Sequence, residues 1–420
     1  MILETSDALK KIARAFYPHK LYAVGGCVRN ALLGIKAADT DLCGDATPEE
    51  VFLICGGGAI KAAAVNPRIG TLKLKCGGES FEYTSFRRDN YDISGGHSPS
   101  AVVFTKSIEE DALRRDFKVN AVYYDVAADK LSDPIGGVAD IKKMILTTCD
   151  KPEITLSQDG LRLMRLARLA AEYGFDIEEK TFLAAREHGR LIKNISGERI
   201  RDELIKILRS DSPAEYAEKN GASAAAERKR GPRCGLSVLS GISVTEHILP
   251  GLKTDADFDG SDGGGFCGGS LLDIIERSSK DARLAALFCR CDARQISGYM
   301  GGGGMRFSAA EIKRTKRLVA GLAFDCGGAS EDGLVGFIRR NADVVCGIIS
   351  LKLVTGGGAD AKRLDGVYRL MKDRGAPFNI ADLKIDGDDI KKLGVCGADI
   401  GEILNRVLTA VGAGEKMLTR

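Results

Sequence analysis

The stretch KLYAVGGCVRNALLGIKAADTDLCGDATPEEV, residues 20–51, constrains the fold of this chain more than any other. Its apolar run LYAV predicts a strand, and CVRNALL predicts a helix that ends at Gly34. Between them, Gly25 and Gly26 let the backbone pass close to a bound group where a side chain would intrude. A strand end, glycines and a helix N-terminus can bind an anion, and Arg29 adds donors for phosphate. For the glycine pair alone, a purely structural turn is the alternative.

Two aspartates, Asp39 and Asp41, follow this helix at a spacing of two residues. Residues i and i+2 of a strand share a face, so we expect the two carboxylates to lie side by side. Such carboxylates repel unless a cation lies between them, and together they can hold Mg²⁺ for in-line attack on a triphosphate. Glu82, which shares a strand face with Thr84 in SFEYTSFRRD, is the expected third carboxylate. A solvated strand glutamate is the alternative for Glu82.

Composition limits the classes of protein that need to be considered. The 420 residues carry 61 basic and 58 acidic side chains, a net charge of +3, so nucleic-acid binding would need local basic surfaces. No apolar run approaches the roughly 18 residues of a membrane span, and we therefore expect no membrane association. The 12 cysteines form no CxxC pair. They indicate reduced thiols and a cytoplasmic protein.

The pattern of predicted elements changes twice along the chain. Residues 1–145 alternate β-rich runs with helices, and residues 146–215 are helical. Residues 216–420 are helical segments separated by glycine-rich loops such as FDGSDGGGFCGGS. The segment DATPEE predicts a helix start with Thr47 as N-cap, Pro48 at N1 and Glu50 at N3. We therefore expect an α+β fold, with a mixed β-sheet and helices first and an all-helical remainder.

Five ordered motifs resemble those of one enzyme family. The segment GGCVRNALLG…DTDL resembles the signature of class II nucleotidyltransferases, the family of CCA-adding enzymes and bacterial poly(A) polymerases. SIEEDALRRDFKVNAVYYD resembles the second signature, RRDFTINA, and DPIGGVADIKKMIL and ERIRDELIKIL follow in the family's order. LKIDGDDIKKLGVCGADIGEILNRVL resembles the tail of the shorter bacterial CCA-adding enzymes. The resemblance implies a catalytic head (1–145), a neck with a base-reading helix (146–215), and a body and tail that bind tRNA (216–420).

The resemblance also implies a reaction and its residues. CMP and AMP would be added from CTP and ATP to the 3′ end of tRNA, with Mg²⁺ as cofactor and pyrophosphate as product. Asp39 and Asp41 would bind the metal and activate the terminal ribose hydroxyl, with Glu82 as the further catalytic carboxylate. The residues implied for nucleotide binding are Gly25, Gly26, Arg29, Arg115, Asp116, Asn120, Asp159, Arg162, Arg165 and Arg168.

The segment QDGLRLMRLAR is the expected base-reading element. It places Asp159, Arg162, Arg165 and Arg168 at steps of three along a predicted helix. An aspartate can accept from the exocyclic amine of cytosine or adenine, while an arginine donates to a ring acceptor. A solvated charged face is the alternative. The family's EDxxR motif selects CTP and then ATP, and here Gln158 replaces its leading glutamate.

A loop between the two signatures, RRDNYDISGGHSPSAVVF (87–104), corresponds to the family's flexible loop. In the family this loop is associated with switching from C to A addition. The chain keeps Asp89, Tyr91, His97 and Pro99 at recognisable places, whereas Gly96 replaces the usual arginine. We therefore expect full CCA addition, with the glycines of the loop suited to movement.

Several positions depart from the family pattern. Asn30 replaces the aspartate of GGxVRD, and Lys118 replaces a threonine of RRDFTINA. In RLAALFCRCDARQ, Cys289-Arg290 stands where many relatives have the His-Asp of a metal-binding phosphohydrolase (HD) domain. The chain has four histidines and none forms a pair with metal-ligand spacing. We expect a degenerate HD-like scaffold there, with Cys289 and Cys291 as buried thiols.

Two groups of alternatives remain open. Within the family, the chain could be a poly(A) polymerase or an enzyme that adds only CC or only A. In a different class, it could be a non-catalytic RNA-binding protein descended from such an enzyme. The pair Asp39 and Asp41 argues against the second group, since a non-catalytic protein has no need of it. The sequence does not predict an oligomeric state.

Overall fold

A computed structural model describes residues 3–36, 39–90, 100–221, 228–252 and 270–412. The chain divides into two compact units, Met1–Pro250 and Gly251–Arg420. The expected boundaries at residues 145 and 215 both fall inside the first unit, and the division into head, neck, body and tail stays a prediction. Among the described residues, no helix has the length and apolar character needed to cross a bilayer.

The first unit contains a mixed sheet of seven strands. Across the sheet they lie in the order β3-β4-β5-β2-β1-β8-β9, and only β2 and β5 are parallel neighbours. Two two-stranded sheets, β6-β7 and β10-β11, accompany it. In chain order the strands are β1 (Leu21–Val24), β2 (Asp41–Gly44), β3 (Lys61–Asn66), β4 (Thr71–Cys76), β5 (Glu79–Ser85), β6 (Arg87–Asn90), β7 (Ala101–Phe104), β8 (Tyr123–Asp125), β9 (Lys130–Ser132), β10 (Ile145–Leu146) and β11 (Asp176–Ile177).

On strands β4 and β5 of the large sheet, one face is buried and the other is open. On β4, Leu72 and Leu74 are buried whereas Lys73 and Lys75 are exposed, which is the alternation expected of a half-buried strand. On β5 the buried residues include Tyr83, whose hydroxyl donates to the Ala46 carbonyl at 2.8 Å. The alternation therefore leaves one face of β4 and β5 free for polar side chains.

Helices complete the first unit, and the helix start at DATPEE is confirmed. Thr47 accepts from the Glu50 amide and Glu50 accepts from the Thr47 amide, with Pro48 at the first helical position. The helices are α1 (Asp7–Phe16), α2 (Gly26–Leu32), α3 (Pro48–Cys55), α4 (Ile108–Leu113), α5 (Gly137–Lys143), α6 (Pro152–Gln158), α7 (Leu161–Tyr173), α8 (Glu179–Glu187), α9 (Gly197–Arg209), α10 (Pro213–Asn220), α11 (Gly231–Gly241) and α12 (Thr245–Ile248). The buried helix α7 packs against α9 and α11.

In the described residues of the second unit, the secondary structure consists of helices, with no strand. Its helices are α13 (Leu271–Arg277), α14 (Arg283–Leu287), α15 (Ala293–Met300), α16 (Ala309–Ala320), α17 (Glu331–Arg340), α18 (Val345–Val354), α19 (Gly358–Asp373), α20 (Gly387–Lys392) and α21 (Asp399–Gly412). Cys289 and Cys291 lie in the turn between α14 and α15. The expectation that both thiols are buried is wrong, because each is only half-buried there.

Candidate active site

The glycine turn lies where the sequence predicts it, between β1 and α2. Gly25 has φ 81°, in the left-handed region that a side chain would strain. Its backbone faces the first residue of β2, since a Cβ at Gly25 would lie 3.9 Å from Asp41 Oδ2. The turn therefore brings bare backbone next to a carboxylate.

The predicted carboxylates are neighbours, although not all on strands. Asp41 is the first residue of β2 and pairs in register with Glu82 on β5, so both lie on the open face of the sheet. Asp39 precedes the strand, and the expectation that Asp39 and Asp41 occupy one strand face is wrong because β2 begins only at Asp41.

Electrostatics shows that the three carboxylates interact. Partial burial raises the pKa of Asp41; Arg115 opposes this, and the charge of Asp39 adds to it, so the pKa stays above its ordinary value. Partial burial followed by the charge of Asp41 likewise raises the pKa of Glu82. Carboxylates that repel one another in this way are the groups whose charge a divalent cation would compensate.

The donor chemistry of this cluster fits Mg²⁺, which prefers carboxylate oxygens. No group of three acidic, histidine or cysteine side chains among the described residues is already spaced to hold a metal ion. The carboxylates thus supply suitable ligands without forming a closed cage. Mg²⁺ commonly keeps several waters and shares its coordination with substrate phosphates, so an open arrangement suits it.

A cavity of about 690 Å³ connects Asp41 with most of the other predicted site residues. It has nine arginines and four aspartates in its lining, an excess of positive charge that suits an anionic ligand. Of the predicted site residues, the cavity brings together Gly25, Gly26, Arg29, Asp41, Arg115, Asp116, Asn120, Asp159, Arg162, Arg165 and Arg168. Asp39 and Glu82 are not among its lining residues.

Arg115 is held in the cavity wall by a buried aspartate that the sequence did not reveal as a site residue. Asp111, on α4, accepts from Arg115 Nη2 at 2.9 Å, from Arg114 Nε at 2.8 Å and from the Tyr123 hydroxyl at 2.8 Å. Burial alone would raise the pKa of Asp111, but the two guanidinium groups outweigh it and lower the pKa to about 2. Asp111 therefore stays charged and fixes both arginines.

Arg29 is buried and is held by residues far apart in the chain. It donates to Asn120 Oδ1, and its Nη2 donates to the Tyr173 hydroxyl at 2.7 Å, with the guanidinium 4.2 Å from the Tyr173 ring centre. Asn30 accepts from Arg29 Nη2 at 2.9 Å. The replacement of the family's aspartate by Asn30 thus keeps a hydrogen-bond acceptor while losing a charge.

Asp159 does not lie on the predicted helix. Helix α6 ends at Gln158 and α7 begins at Leu161, so Asp159 stands between them, and its Oδ1 accepts from the Leu161 amide at 2.9 Å. The expectation of four residues in one helical row is wrong, because Asp159 and Gly160 break the helix. Arg162, Arg165 and Arg168 do share α7.

Arg162 is buried, and its hydrogen bonds connect α7 with α6 and with the second signature. Its Nη1 donates to the Thr155 carbonyl at 2.8 Å and to Gln158 Oε1 at 2.9 Å, and its Nη2 donates to the Arg114 carbonyl at 2.6 Å. Gln158, the departure from the family's glutamate, thus still supplies an acceptor for Arg162. The guanidinium links the segment QDGLRLMRLAR to the second signature.

The two remaining arginines of α7 pair with acids. Arg165 Nε lies 2.8 Å from Asp116 Oδ2, a charge contact whose angles do not make a hydrogen bond. Burial raises the pKa of Asp116, but Arg165 and then Arg162 outweigh it, so the pKa falls below its ordinary value. Arg168 donates to Glu203 Oε2 at 2.6 Å and to Glu172 Oε2 at 2.9 Å.

The cavity also contains residues that sequence reasoning missed. They come from the turn after β3, from β6, from the second signature and from the start of α9: Asn66, Arg68, Ile69, Arg87, Arg114 and Arg199. Arg114 could have been found from its spacing of three residues from Asp111, which favours an ion pair on a helix. The others carry no such local signal. Asp89 lines the cavity, whereas Tyr91, Gly96, His97 and Pro99 of the loop lie outside the described residues.

Two protein-family models match parts of the first unit. Residues 21–147 match the family model described as the Poly A polymerase head domain, and residues 174–219 match the probable RNA and SrmB-binding site of polymerase A. The CCA-adding enzyme of Streptococcus mutans is 37% identical over 207 residues, 49% of this chain and 50% of that protein. The CCA-adding enzyme of Lactobacillus helveticus is 37% identical over 186 residues, 44% of this chain and 45% of that protein. The chain spans about half the length of the curated relatives it matches.

Solved structures extend the likeness to almost the whole chain. The Bacillus stearothermophilus CCA-adding enzyme in complex with CTP has a TM-score of 0.69 at 23% identity, covering 96% of this chain and 92% of that one. The Thermotoga maritima CCA-adding enzyme complexed with tRNA has a TM-score of 0.64 at 19% identity, covering 97% and 92%. At these identities the likeness establishes the fold, and it confirms the expected α+β architecture.

The family has a general requirement that bears on the carboxylates, since its nucleotidyltransferases use a divalent metal. The matched residues 21–147 contain the glycine turn, Asp39, Asp41, Glu82 and the second signature. Both signatures therefore lie within the segment that matches the head-domain family model. Over residues 21–147 and 174–219, the chain is therefore similar to the class II nucleotidyltransferases, the family that contains the CCA-adding enzymes and the bacterial poly(A) polymerases.

Proposed function

We propose that the chain is a template-independent nucleotidyltransferase that adds CMP and AMP from CTP and ATP to the 3′ end of tRNA, releasing pyrophosphate. One observation carries the proposal. A single cavity is lined by the glycine turn, Asp41, the arginines of the second signature and the segment from Asp159 to Arg168. These are the groups needed to bind a triphosphate, position an attacking hydroxyl and distinguish a base.

The carboxylates Asp39 and Asp41 are the proposed ligands of Mg²⁺, with Glu82 as the nearby third carboxylate. Mg²⁺ held there would neutralise charge on the triphosphate and activate the terminal ribose hydroxyl for in-line attack. The pairing of Asp41 with Glu82 across two strands supports the arrangement, because a sheet fixes the separation of its side chains more rigidly than a loop does.

The triphosphate is proposed to lie along the glycine turn and against Arg29 and Arg115. Both guanidinium groups are anchored by neutral or acidic partners, Arg29 by Asn120 and Tyr173 and Arg115 by Asp111. Anchoring reduces the conformational entropy that each arginine loses when a phosphate binds. Next to Arg29, Asn120 donates to Asp116 Oδ1 at 3.2 Å. Asp116 and Asn120 would hold the sugar.

Base selection is proposed for Asp159 and Arg162, with Arg165 and Arg168 in support. Asp159 uses Oδ1 on the Leu161 amide, which orients the carboxylate and leaves Oδ2 to accept from an exocyclic amine. Cytosine and adenine carry that amine, whereas uracil carries a carbonyl in its place. The hydrogen bonds of Arg162 to Thr155 and Arg114 hold its guanidinium at a fixed place in the cavity wall.

The helical residues 216–420 are proposed as the body and tail that bind tRNA, and the cytoplasm remains the predicted compartment. Support comes from the CCA-adding enzymes matched above, one of which was solved with tRNA. Poly(A) addition is the second candidate, because the family model that matches residues 21–147 describes a poly(A) polymerase head.

The test is incubation of the pure protein with CTP, ATP and a tRNA that lacks its last three nucleotides, followed by sequencing of the product. CCA addition predicts three added nucleotides, C, C and A. A long run of A would identify a poly(A) polymerase, and addition of only CC or only A would identify a partial enzyme. Binding of the tRNA without any extension would identify an RNA-binding protein instead.

A further inference from the structure

We infer that three lysines on the open face of the large sheet form a surface that binds the phosphates of the RNA primer strand as its 3′ end reaches the carboxylates. The lysines are Lys61 on β3 and Lys73 and Lys75 on β4, and we refer to them as the lysine row. All three are exposed. The inference rests on the proposed function and adds to it the surface that directs the primer to the site.

Strand register places the lysine row beside the catalytic carboxylates. Asp41 pairs with Glu82, Glu82 pairs with Lys73, and Lys75 pairs with Lys61. Residues in register across neighbouring strands share a face, so these side chains stand on the same open face. Lys73 lies two strands from Asp41, a lateral distance of roughly 10 Å.

Along β3, Lys61 of the lysine row lies at the opposite end from Asn66, a residue of the cavity. Strand β3 begins at Lys61 and ends at Asn66, which lines the cavity together with Arg68 and Arg87 at the same end of the sheet. Five residues of strand separate Lys61 from Asn66, roughly 17 Å. Asp41 pairs with Glu82, Glu82 pairs with Lys73, and Lys73 pairs with the middle of β3, so Asp41 is in register with the middle of β3. A primer strand on the lysine row would thus meet a nucleotide in the cavity at Asp41, which lines the cavity and shares the face of the lysine row.

Two of the three lysines, Lys61 and Lys75, have no acidic partner among the described residues. Lys61 and Lys75 lie directly opposite one another, and like charges in such a cross-strand pair repel. Neither forms an ion pair within the described part of the chain, and Lys73 has Glu82 as its acidic neighbour. Binding of a polyanion would relieve the repulsion. A single-stranded RNA end carries regularly spaced phosphates and needs only point charges to hold it, which lysines supply.

The experiment compares three triple variants in the full-length chain. Lys61→Gln/Lys73→Gln/Lys75→Gln removes the charges of the lysine row, and Lys61→Arg/Lys73→Arg/Lys75→Arg keeps them. Lys130→Gln/Lys142→Gln/Lys143→Gln removes three exposed charges elsewhere in the same unit. For each variant the Kd for a tRNA lacking its last three nucleotides is measured over a range of salt concentrations, and the KM for CTP is measured at saturating tRNA.

The glutamine variant of the lysine row should raise the Kd for tRNA about tenfold or more at low salt. It should also make the slope of log Kd against log salt shallower by about 2, because each lost phosphate contact contributes about 0.7–0.9 to the slope. The arginine variant and the Lys130/Lys142/Lys143 variant should keep the wild-type slope, and no variant should change the KM for CTP.

A glutamine variant with the wild-type Kd and slope would overturn the inference. So would an increase in the KM for CTP with tRNA binding unchanged, since that would assign the lysines to the nucleotide. Failure of the proposed function looks different. In that case the wild-type protein would extend no tRNA at all, whatever the salt dependence of its binding.

Discussion

At the scale of single residues, Asp111 determines how the second signature is presented to the cavity. It is fully buried and accepts from Arg114, Arg115 and Tyr123 at once. A buried charge is tolerated only when it is paired and hydrogen-bonded, and here each oxygen has a partner. Arg115 is thereby aligned before any nucleotide arrives.

Replacing Asp111 with asparagine should destabilise the first unit by about 3–5 kcal/mol at neutral pH, because two buried guanidinium groups lose their counter-charge. The pKa of Asp111 is depressed to about 2, so its stabilising charge is fully present above the ordinary value near 3.8 and is lost as pH falls toward 2. Urea unfolding of wild type and variant should therefore differ most above pH 4 and converge near pH 2. A difference that persists unchanged at pH 2 would contradict the assigned charge.

Replacing Asp159 with asparagine tests base selection more specifically than replacing it with alanine. Asp159→Asn keeps an oxygen for the Leu161 amide while replacing the second acceptor with an NH₂ donor. The ratio of UTP to CTP incorporation should rise about tenfold, since one good bidentate pair supplies about 1–3 kcal/mol of base discrimination. Single-nucleotide incorporation measures the ratio, with Glu153→Gln on the exposed side of α6 as control. An equal fall in both rates would make Asp159 a structural residue only.

The individual residues could be predicted as far as motifs and spacing allow. The two signatures and the segment QDGLRLMRLAR together indicated eleven of the residues that line the cavity, because glycines, paired aspartates and arginines have strong local meaning. Tyr173 was missed, since it meets Arg29 from 144 positions away. The position of Asp159 was also missed, because nothing in the spacing shows that Gly160 interrupts the helix.

At the scale of elements, helix α5 contacts a turn that positions one residue of the cavity. It packs against the short turn of residues 118–120, which ends with Asn120. Gly137, at the start of α5, allows this contact: a Cβ there would lie 2.1 Å from the Lys118 carbonyl oxygen and 2.7 Å from Val122 Cγ2. The distance to the carbonyl is far below any van der Waals contact, so the backbone would have to move.

Replacing Gly137 with alanine should destabilise the first unit by about 1–3 kcal/mol through overpacking. It should also raise the KM for CTP, because movement of the turn displaces Asn120 and with it the Arg29 side chain. Thermal unfolding and steady-state kinetics measure the two effects. Gly57→Ala is the matched control, since its Cβ would meet nothing within 4 Å. If the Gly137→Ala protein had the stability and the KM of the wild type, α5 would be able to shift and accommodate the methyl group without destabilising the protein.

Element boundaries were predicted best where the chain carries its own stop and start signals. The capping box at Thr47 and Glu50 fixed the start of α3 correctly. The start of β2 was not predicted, because a strand begins where its neighbours pair, and β2 pairs with β1 and β5 only from Asp41 onward. Local sequence does not contain that information.

At the scale of the whole molecule, the chain forms two compact units, and neither expected change of pattern, at residue 145 or 215, coincides with the division between them. The first contains every described strand and the cavity, and the second is helical in its described residues. The order of the strands, β3-β4-β5-β2-β1-β8-β9, could not be derived from periodicity, because pairing between strands distant in sequence depends on the complete core. The α+β class followed from the family motifs and from the strand and helix patterns together.

Nucleotide transfer is proposed to occur at Asp41. The most direct test is single-turnover addition of one CMP to a tRNA that lacks its last three nucleotides. Wild-type protein and Glu49→Gln, an exposed change on α3, should extend the tRNA at the same rate. Asp41→Asn removes a charge and should lower the rate by at least about 10³-fold, the loss of about 4 kcal/mol of transition-state stabilisation, while tRNA binding is unchanged. Extension by Asp41→Asn at a rate near that of the wild type would contradict the account.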